Sequence, residues 1–596
     1  MSQSHTYQFI PHMPVSDPEM APSLQRTLTR SRSSLWRGWS PGLPSFSEYE
    51  RTAYKFPWLQ DPDGSFSRHN HGNKHSDIIL ETPGPTDRSH LLSHDNSQNG
   101  PSMIPRPEKS SHEQGNHSDD PEDPDLVTWS GPSDPANPKN WPKHKKWTAT
   151  ILVSCFTFIS PVSSTMLAPA LDTLADDLNV ESDIETYLLM SIFLLAYAVG
   201  PFVLAPLSEM YGRVVVLQSA NMFYLIFNTV CGFCTSKEQM LAFRFLSGLG
   251  GSAPQALGGG VLSDCFRAEE RGTATAIYSL APFLGPAVGP IAAGYLTQYM
   301  SWRWIFWTVS IADAVVQILA FLFLSETYAP KILAVKAKKL RKLTGNKNLR
   351  TEYERPDRTF GQTLGKNLVR PFRMLFTQPA LQITALYRAY LYGLMYLVLA
   401  SFPLVWSEQY DQEPGPASLN YISLGVGFVI GLQVSGPLID KIHTDAVEVY
   451  RTLKTRNNDT GLPEFRIPLM FPTAIVTPVG LLLYGIAAHF KIHWIVPNIG
   501  AAILAAGLIL SFQCVQTYVI DSYERYAASA AGAAAFVRTM AGFSFPLFAP
   551  KLYDALGIAW GNALLSGIVL VMGIIVPVVM WKWGAWLRSK SQYCAG

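Results

Sequence analysis

Charged residues are scarce in this chain, 15% of the total against 47% hydrophobic, and the scarcity is uneven. Residues 1–140 are polar and rich in Ser, Pro, His and Asp, whereas apolar runs of about 20 residues recur from Trp147 almost to the end. That distribution argues against the several soluble domains that 596 residues would otherwise suggest. Cysteine is also rare. Six in so long a chain are no disulfide framework. Cys231 and Cys234 form a C-x-x-C, but at the end of an apolar run with no βαβ context, so helix packing is their expected role. The net charge of +2 is too small to imply a nucleic-acid partner. Met1–Thr27 carries no uninterrupted apolar core of a signal peptide, so the first span is expected to act as its own insertion signal.

Nucleotide loops are missing too. Gly361 to Lys366 is one residue short of a phosphate loop and lacks the following Ser or Thr. Gly248–Ala253 nominally matches a dinucleotide fingerprint, but it lies inside an apolar span, where small-residue packing is the better reading. No nucleophile–base pair or metal-ligand cluster stands out in the spans. The sequence therefore points away from an enzyme, and no cofactor or metal is expected.

What remains is a membrane protein. Twelve spans are expected, at 147–169, 187–208, 214–234, 239–263, 273–297, 303–324, 379–406, 417–440, 466–488, 494–519, 526–550 and 558–583. The expected organisation is a disordered N-terminal tail, 1–140, a six-helix bundle, 141–325, a central loop, 326–378, a second six-helix bundle, 379–585, and a short tail, 586–596. The central loop carries about thirteen Lys and Arg, including Lys336, Lys338, Lys339, Arg341 and Lys342, against roughly three in all the turns of the other side. Both termini and the central loop are therefore expected in the cytoplasm. Sequons at Asn116 and Asn458 then fall inside and should carry no glycan. A basic amphipathic helix around Lys331–Leu343 would suit a lipid surface, and a solvated linker is the alternative.

The fifth expected span contains Ala281–Gly294, APFLGPAVGPIAAG. Gly285 and Gly289 are four apart and share a helix face, which permits close approach of a neighbour. Pro286 and Pro290 free backbone groups that neighbouring helices re-satisfy in a membrane. Between the second and third spans stands Ala205–Arg213, where Glu209 and Arg213 can latch a closed state and Gly212 allows a tight turn. Gly436–Lys441, with Asp440, echoes it in the second half and suggests an internal repeat.

These motifs resemble those of the major facilitator superfamily, and within it the twelve-span drug:H⁺ antiporters in their fungal form. Arg244–Gly248 resembles the family's buried-arginine motif. The segment with Gly285, Pro286, Gly289, Pro290 and Gly294 resembles the motif found in its exporters. Asn137–Trp141 resembles the signature of fungal members just before the first span. Ala205 departs from the usual Gly, and Val214 follows Arg213 where a second basic residue is usual. The resemblance implies an all-α membrane fold, two six-helix bundles that rock around a midplane site, and export driven by protons.

Ionisable groups at membrane depth are expensive and point to function. Arg244 and Asp313 are the candidates for proton coupling. For Arg244 the alternative is an interfacial arginine snorkelling outward. For Asp313, with Gln317 four residues on, it is a structural hydrogen bond. Arg388 and Arg538 also fall in spans. Gln255, Tyr387, Tyr390, Tyr396, Gln513 and Gln516 are polar or aromatic positions expected to line the cavity, with Ser163, Ser164 and Met166 as further candidates.

The expected function is proton-coupled export of small organic molecules, such as drugs, toxins or secondary metabolites. The alternatives are a polyamine or cation exporter, an uptake carrier, and a non-transporting membrane receptor. Small-molecule cargo, protons and lipid are the expected partners of a monomer in the plasma membrane, with the vacuolar membrane as the alternative.

Overall fold

The computed structural model describes residues 125–267, 270–354, 360–454, 462–591 and 593–594. The expectations about positions 1–124 and about both sequons lie outside them. Among the described residues ten helices are long and apolar enough to cross a membrane.

In the first half, α1 is Lys143–Thr165, α2 Asp183–Tyr211, α3 Arg213–Cys231, α4 Lys237–Gly251, α5 Ala253–Cys265, α6 Arg271–Tyr299 and α7 Arg303–Phe323. Two helices, α8 Ala329–Thr344 and α9 Phe360–Thr377, occupy the central region. The second half holds α10 Pro379–Leu404, α11 Tyr421–Lys454, α12 Met470–His489, α13 Ile495–Ser522 and α14 Ala527–Ser589.

The twelve expected segments map onto these helices with two adjustments. The fourth is broken into α4 and α5 at Ser252, with Pro254 in the first turn of α5. The last two form the single 63-residue α14, whose path breaks at Gly557. Gly557 has φ +71° and ψ 169°, a conformation glycine adopts without a Cβ penalty, and it lies in the expected turn 551–557. α11 runs past its expected end at 440 to Lys454.

Burial is arranged as a bilayer requires. α7 exposes Ile311, Val315, Ile318 and Leu322, one stripe at helical spacing. Its opposite face buries Ser310, Asp313, Gln317 and Ala320. The polar face is inside and the greasy face outside, the reverse of a soluble helix.

Two regions differ from a plain tail and a solvated linker. Leu126–Val127 pair in parallel with Arg350–Thr351. Lys336 of α8 donates to the Thr128 carbonyl at 3.0 Å and to Ser130 Oγ at 2.9 Å. Residues 126–134 are thus folded onto α8 and the strand after it, α8 being the helix anticipated near Lys331–Leu343. α8 ends at Gly345 in the left-handed conformation, with Arg341 and Lys342 in its last turn. It buries Leu333 and Ala337.

Candidate functional site

Arg244 is fully buried. Its guanidinium donates to the Ser163 carbonyl at 3.0 Å, to Met190 O at 3.3 Å and to Leu189 O at 3.4 Å. The Phe193 ring lies 4.8 Å from it. The side chain turns into the bundle and does not snorkel outward, because backbone carbonyls of α1 and α2 satisfy it there.

Asp313 is also fully buried, and it holds an amide rather than a cation. Asn221 Nδ2 donates to both carboxylate oxygens, at 3.1 and 2.9 Å, and to Gln317 Oε1 at 3.0 Å. Gln317 in turn donates to the Gln218 carbonyl at 3.3 Å. Two turns along α3, Asn228 donates to Ser310 Oγ at 2.9 Å and to the Phe306 carbonyl at 3.2 Å. Ser163 Oγ donates to Asn228 Oδ1 at 3.2 Å. Seven residues apart, Asn221 and Asn228 share one face of α3. The face forms a buried polar ladder between Asp313 and the Ser163–Arg244 contact.

The two halves meet next to this ladder. Ser164 Oγ and Tyr396 OH lie 2.9 Å apart across the interface. Tyr396 lies against Tyr392 with the rings tilted at 44° and centroids 4.9 Å apart, and Tyr392 meets Phe512 edge-on at 5.9 Å. Gln516 accepts a hydrogen bond from Arg388. Of the residues expected to line the cavity, Tyr396 thus meets the other half at Ser164 and Gln516 meets Arg388. Tyr390 donates to the Leu565 carbonyl at 3.1 Å and Tyr387 is buried beside Gly573, so both pack within the second half. Gln255 and Gln513 are half-buried, and Met166 is buried in an apolar cluster that is mostly first-half but includes Ala400 of the second.

The residues expected to form a latch, Glu209, Gly212, Arg213 and Asp440, sit as follows. Gly212 has φ +103°, and a Cβ there would lie 2.3 Å from Glu326 Oε2. Glu326, just beyond α7, accepts from the backbone N–H groups of Arg213 at 2.9 Å and Val214 at 3.3 Å, capping α3. Arg213 Nη1 donates to Ser208 Oγ at 2.8 Å, and its Nε lies 3.6 Å from Asp264. Glu209 is exposed at the end of α2. Asp440 pairs with Arg466 at 3.0 Å, and Arg466 also binds Asp521 at 2.9 Å. Ser208 and Asp264 share the first half with Arg213, and Arg466 shares the second with Asp440.

The α6 glycines mark close approaches. A Cβ on Gly285 would lie 2.8 Å from Phe158 O, and one on Gly289 2.9 Å from Val162 O, both in α1. One on Gly294 would lie 2.7 Å from Pro414 O, in the second half. Pro286 and Pro290 are buried inside an unbroken α6.

Residues 153–546 match the family model described as Major Facilitator Superfamily. The chain belongs to that superfamily. It is 47% identical over 474 residues to the efflux pump vrtL of Penicillium aethiopicum, covering 80% of this chain and 92% of that one. It is 44% identical to the uncharacterized transporter C1529.01 of Schizosaccharomyces pombe, over 79% of this chain and 94% of that one. The xylose transporter XylE from E. coli, solved in a partially occluded inward-open conformation, is 16% identical with a TM-score of 0.51. The superposition covers 74% of this chain and 99% of XylE, and it establishes the fold alone.

For a superfamily transporter, the ends of the helices matter as much as the middle. At one end Phe202 of α2, Phe372 of α9 and Phe536 of α14 form a triangle of rings with centroids 4.8 to 5.6 Å apart. At the opposite ends of α2, α10 and the first part of α14 lies a cavity of about 540 Å³ lined from both halves. Its walls include Asp172, Asp176, Glu181, Asp183, Glu408 and Asp554. Alongside it Gln298 of α6 donates to Glu413 and accepts from the Gly415 N–H, bridging the halves.

The sequence reading missed Asn221, Asn228, Glu326 and Asp264. Two amides seven apart in an otherwise apolar span were a usable signal for the ladder. An acid immediately after a span was one for the cap.

Proposed function

We propose that this superfamily member exports small organic molecules by alternating access, with protons entering as cargo leaves. The observation that carries the reading is Asp313. It is a carboxylate held wholly inside the first bundle, with an amide partner in place of a cation, on the Asn221 side of the α3 face whose Asn228 meets Ser163, the neighbour of the interface residue Ser164. A group so placed takes up and gives up a proton more readily than it stays permanently charged. Arg244 is the positioning partner at the other end of the ladder. The fungal relatives named as efflux pumps support the outward direction.

The same reading puts both termini in the cytoplasm of a surface membrane, with the acidic cavity at the outer mouth. The Lys/Arg asymmetry supports that orientation. The acidic lining favours a second reading, release of cationic cargo. In vesicles, Asp313→Asn should abolish pH-driven flux while leaving the protein in the membrane. Undiminished flux would remove Asp313 from the proton path, and flux unchanged after collapse of the gradient would remove proton coupling altogether.

A further inference from the structure

Three arginines lie inside the spans, and they are not alike. Arg244 spends its donors on three carbonyls. Arg388, only 8% exposed, donates to Gln516 and leaves its Nε buried without an acceptor. Arg538 also has a buried Nε without an acceptor. Among the described residues no carboxylate forms an ion pair with either.

Their neighbours are rings. Arg388 lies 5.7 Å from the centroid of Phe512, and Arg538 lies 4.6 Å from that of Tyr392. Phe512 and Tyr392 touch each other, so both guanidinium groups belong to one cluster. Ring faces attract a cation but do not accept the N–H donors at its edge. The cluster joins the interface of the halves through Tyr392, Tyr396 and Ser164. Two like charges inside the spans without a counter-ion, Arg388 buried and Arg538 half-buried, are costly, and ionisable groups at membrane depth mark ligand and ion paths.

We infer that the cargo is an aromatic organic acid, its carboxylate taken by Arg388 and Arg538 and its ring laid against Tyr392 and Phe512. A planar carboxylate matches the guanidinium fork in two-point geometry. The inference rests on the export reading above and narrows its cargo class.

The test uses 2-naphthoate and its uncharged isostere 2-naphthamide, with the full chain in nanodiscs for binding and in liposomes for flux. The acid should bind about thirtyfold or more tighter than the amide and raise the melting temperature. Arg388→Gln and Arg538→Gln should each bring the acid down to the level of the amide. Both variants should melt at or above the parent temperature, because each removes a charge inside the spans that has no counter-ion. Equal binding of the two probes, binding of neither, or variants that keep the preference for the acid overturn the inference. So does a lowered melting temperature with acid and amide weakened alike, which assigns the arginines to the scaffold. Flux separates this from the reading beneath it. Proton-driven movement of the amide but not the acid overturns the anion site and leaves export standing. Selective acid binding without concentrative flux keeps the anion site and overturns export.

Discussion

Asp313 and Arg244 are both buried charges, yet their surroundings give them different work. Asp313 meets an amide that donates to either oxygen, so an asparagine in its place keeps one acceptor for Asn221. Asp313→Asn should therefore change unfolding stability by less than about 1 kcal/mol while flux is lost. Asn221→Ala is the opposite experiment. It strips the carboxylate of its donor in a buried site and should cost about 1–3 kcal/mol in thermal unfolding. Arg244→Ala leaves the Ser163, Leu189 and Met190 carbonyls without their donor and should be more damaging still. A stable Arg244→Ala protein would contradict the structural part of its role.

At the scale of elements, α1 and α6 touch backbone to backbone at Gly285 and Gly289. Gly289→Leu places carbon 2.9 Å from a carbonyl oxygen that cannot rotate away, and overpacking of this kind costs about 1–3 kcal/mol or more. Flux and folded yield should both fall. Gly567→Ala, with nothing within 4 Å of its Cβ, is the control and should change neither. Elsewhere, the docking of residues 126–134 on α8 depends on Asp134. The N–H groups of Ser130 and Ala136 hold this carboxyl below its ordinary value of 3.8, with Lys336 adding to the effect. A lowered carboxyl stabilises the fold while ionised, so the docking should persist above that range and loosen as the pH falls through the lowered value. Protease susceptibility of this segment, followed against pH, checks the direction. Asp134→Asn should loosen it already at neutral pH.

For the whole molecule, export requires the halves to separate and re-form. Gln298→Cys with Glu413→Cys, joined by a short reducible crosslinker, should stop flux, and reduction should restore it. Full flux while crosslinked would mean that this end does not open. Charge movement offers a second view. Exchanging a monoanion for one proton carries two positive charges inward, each worth about 2.3 kcal/mol per 100 mV. An inside-negative potential should then speed export of an acid more than that of a neutral cargo, measurable under a potassium–valinomycin clamp.

Some of this could be read in advance. Long apolar runs, the basic bias of the central loop and the Gly/Pro pattern of α6 are local properties, and so were legible. The bilayer demands about 20 apolar residues per span and internal satisfaction of every backbone group. Those demands act on each segment separately and leave a periodic mark. Gly285 and Gly289 could be placed on one face because helical spacing alone decides it. Tyr387 and Tyr390 could not be told from Tyr396, because span, residue type and depth are alike for all three. Which one meets Ser164, and which turn to α12 and α14, depends on helix rotation set by packing between distant segments. The same holds for the arginines. Composition placed Arg244, Arg388 and Arg538 inside spans, but only the folded chain brings three carbonyls to the first and leaves the Nε of each of the others without an acceptor, since a partner is a matter of distance in space and not of position along the chain.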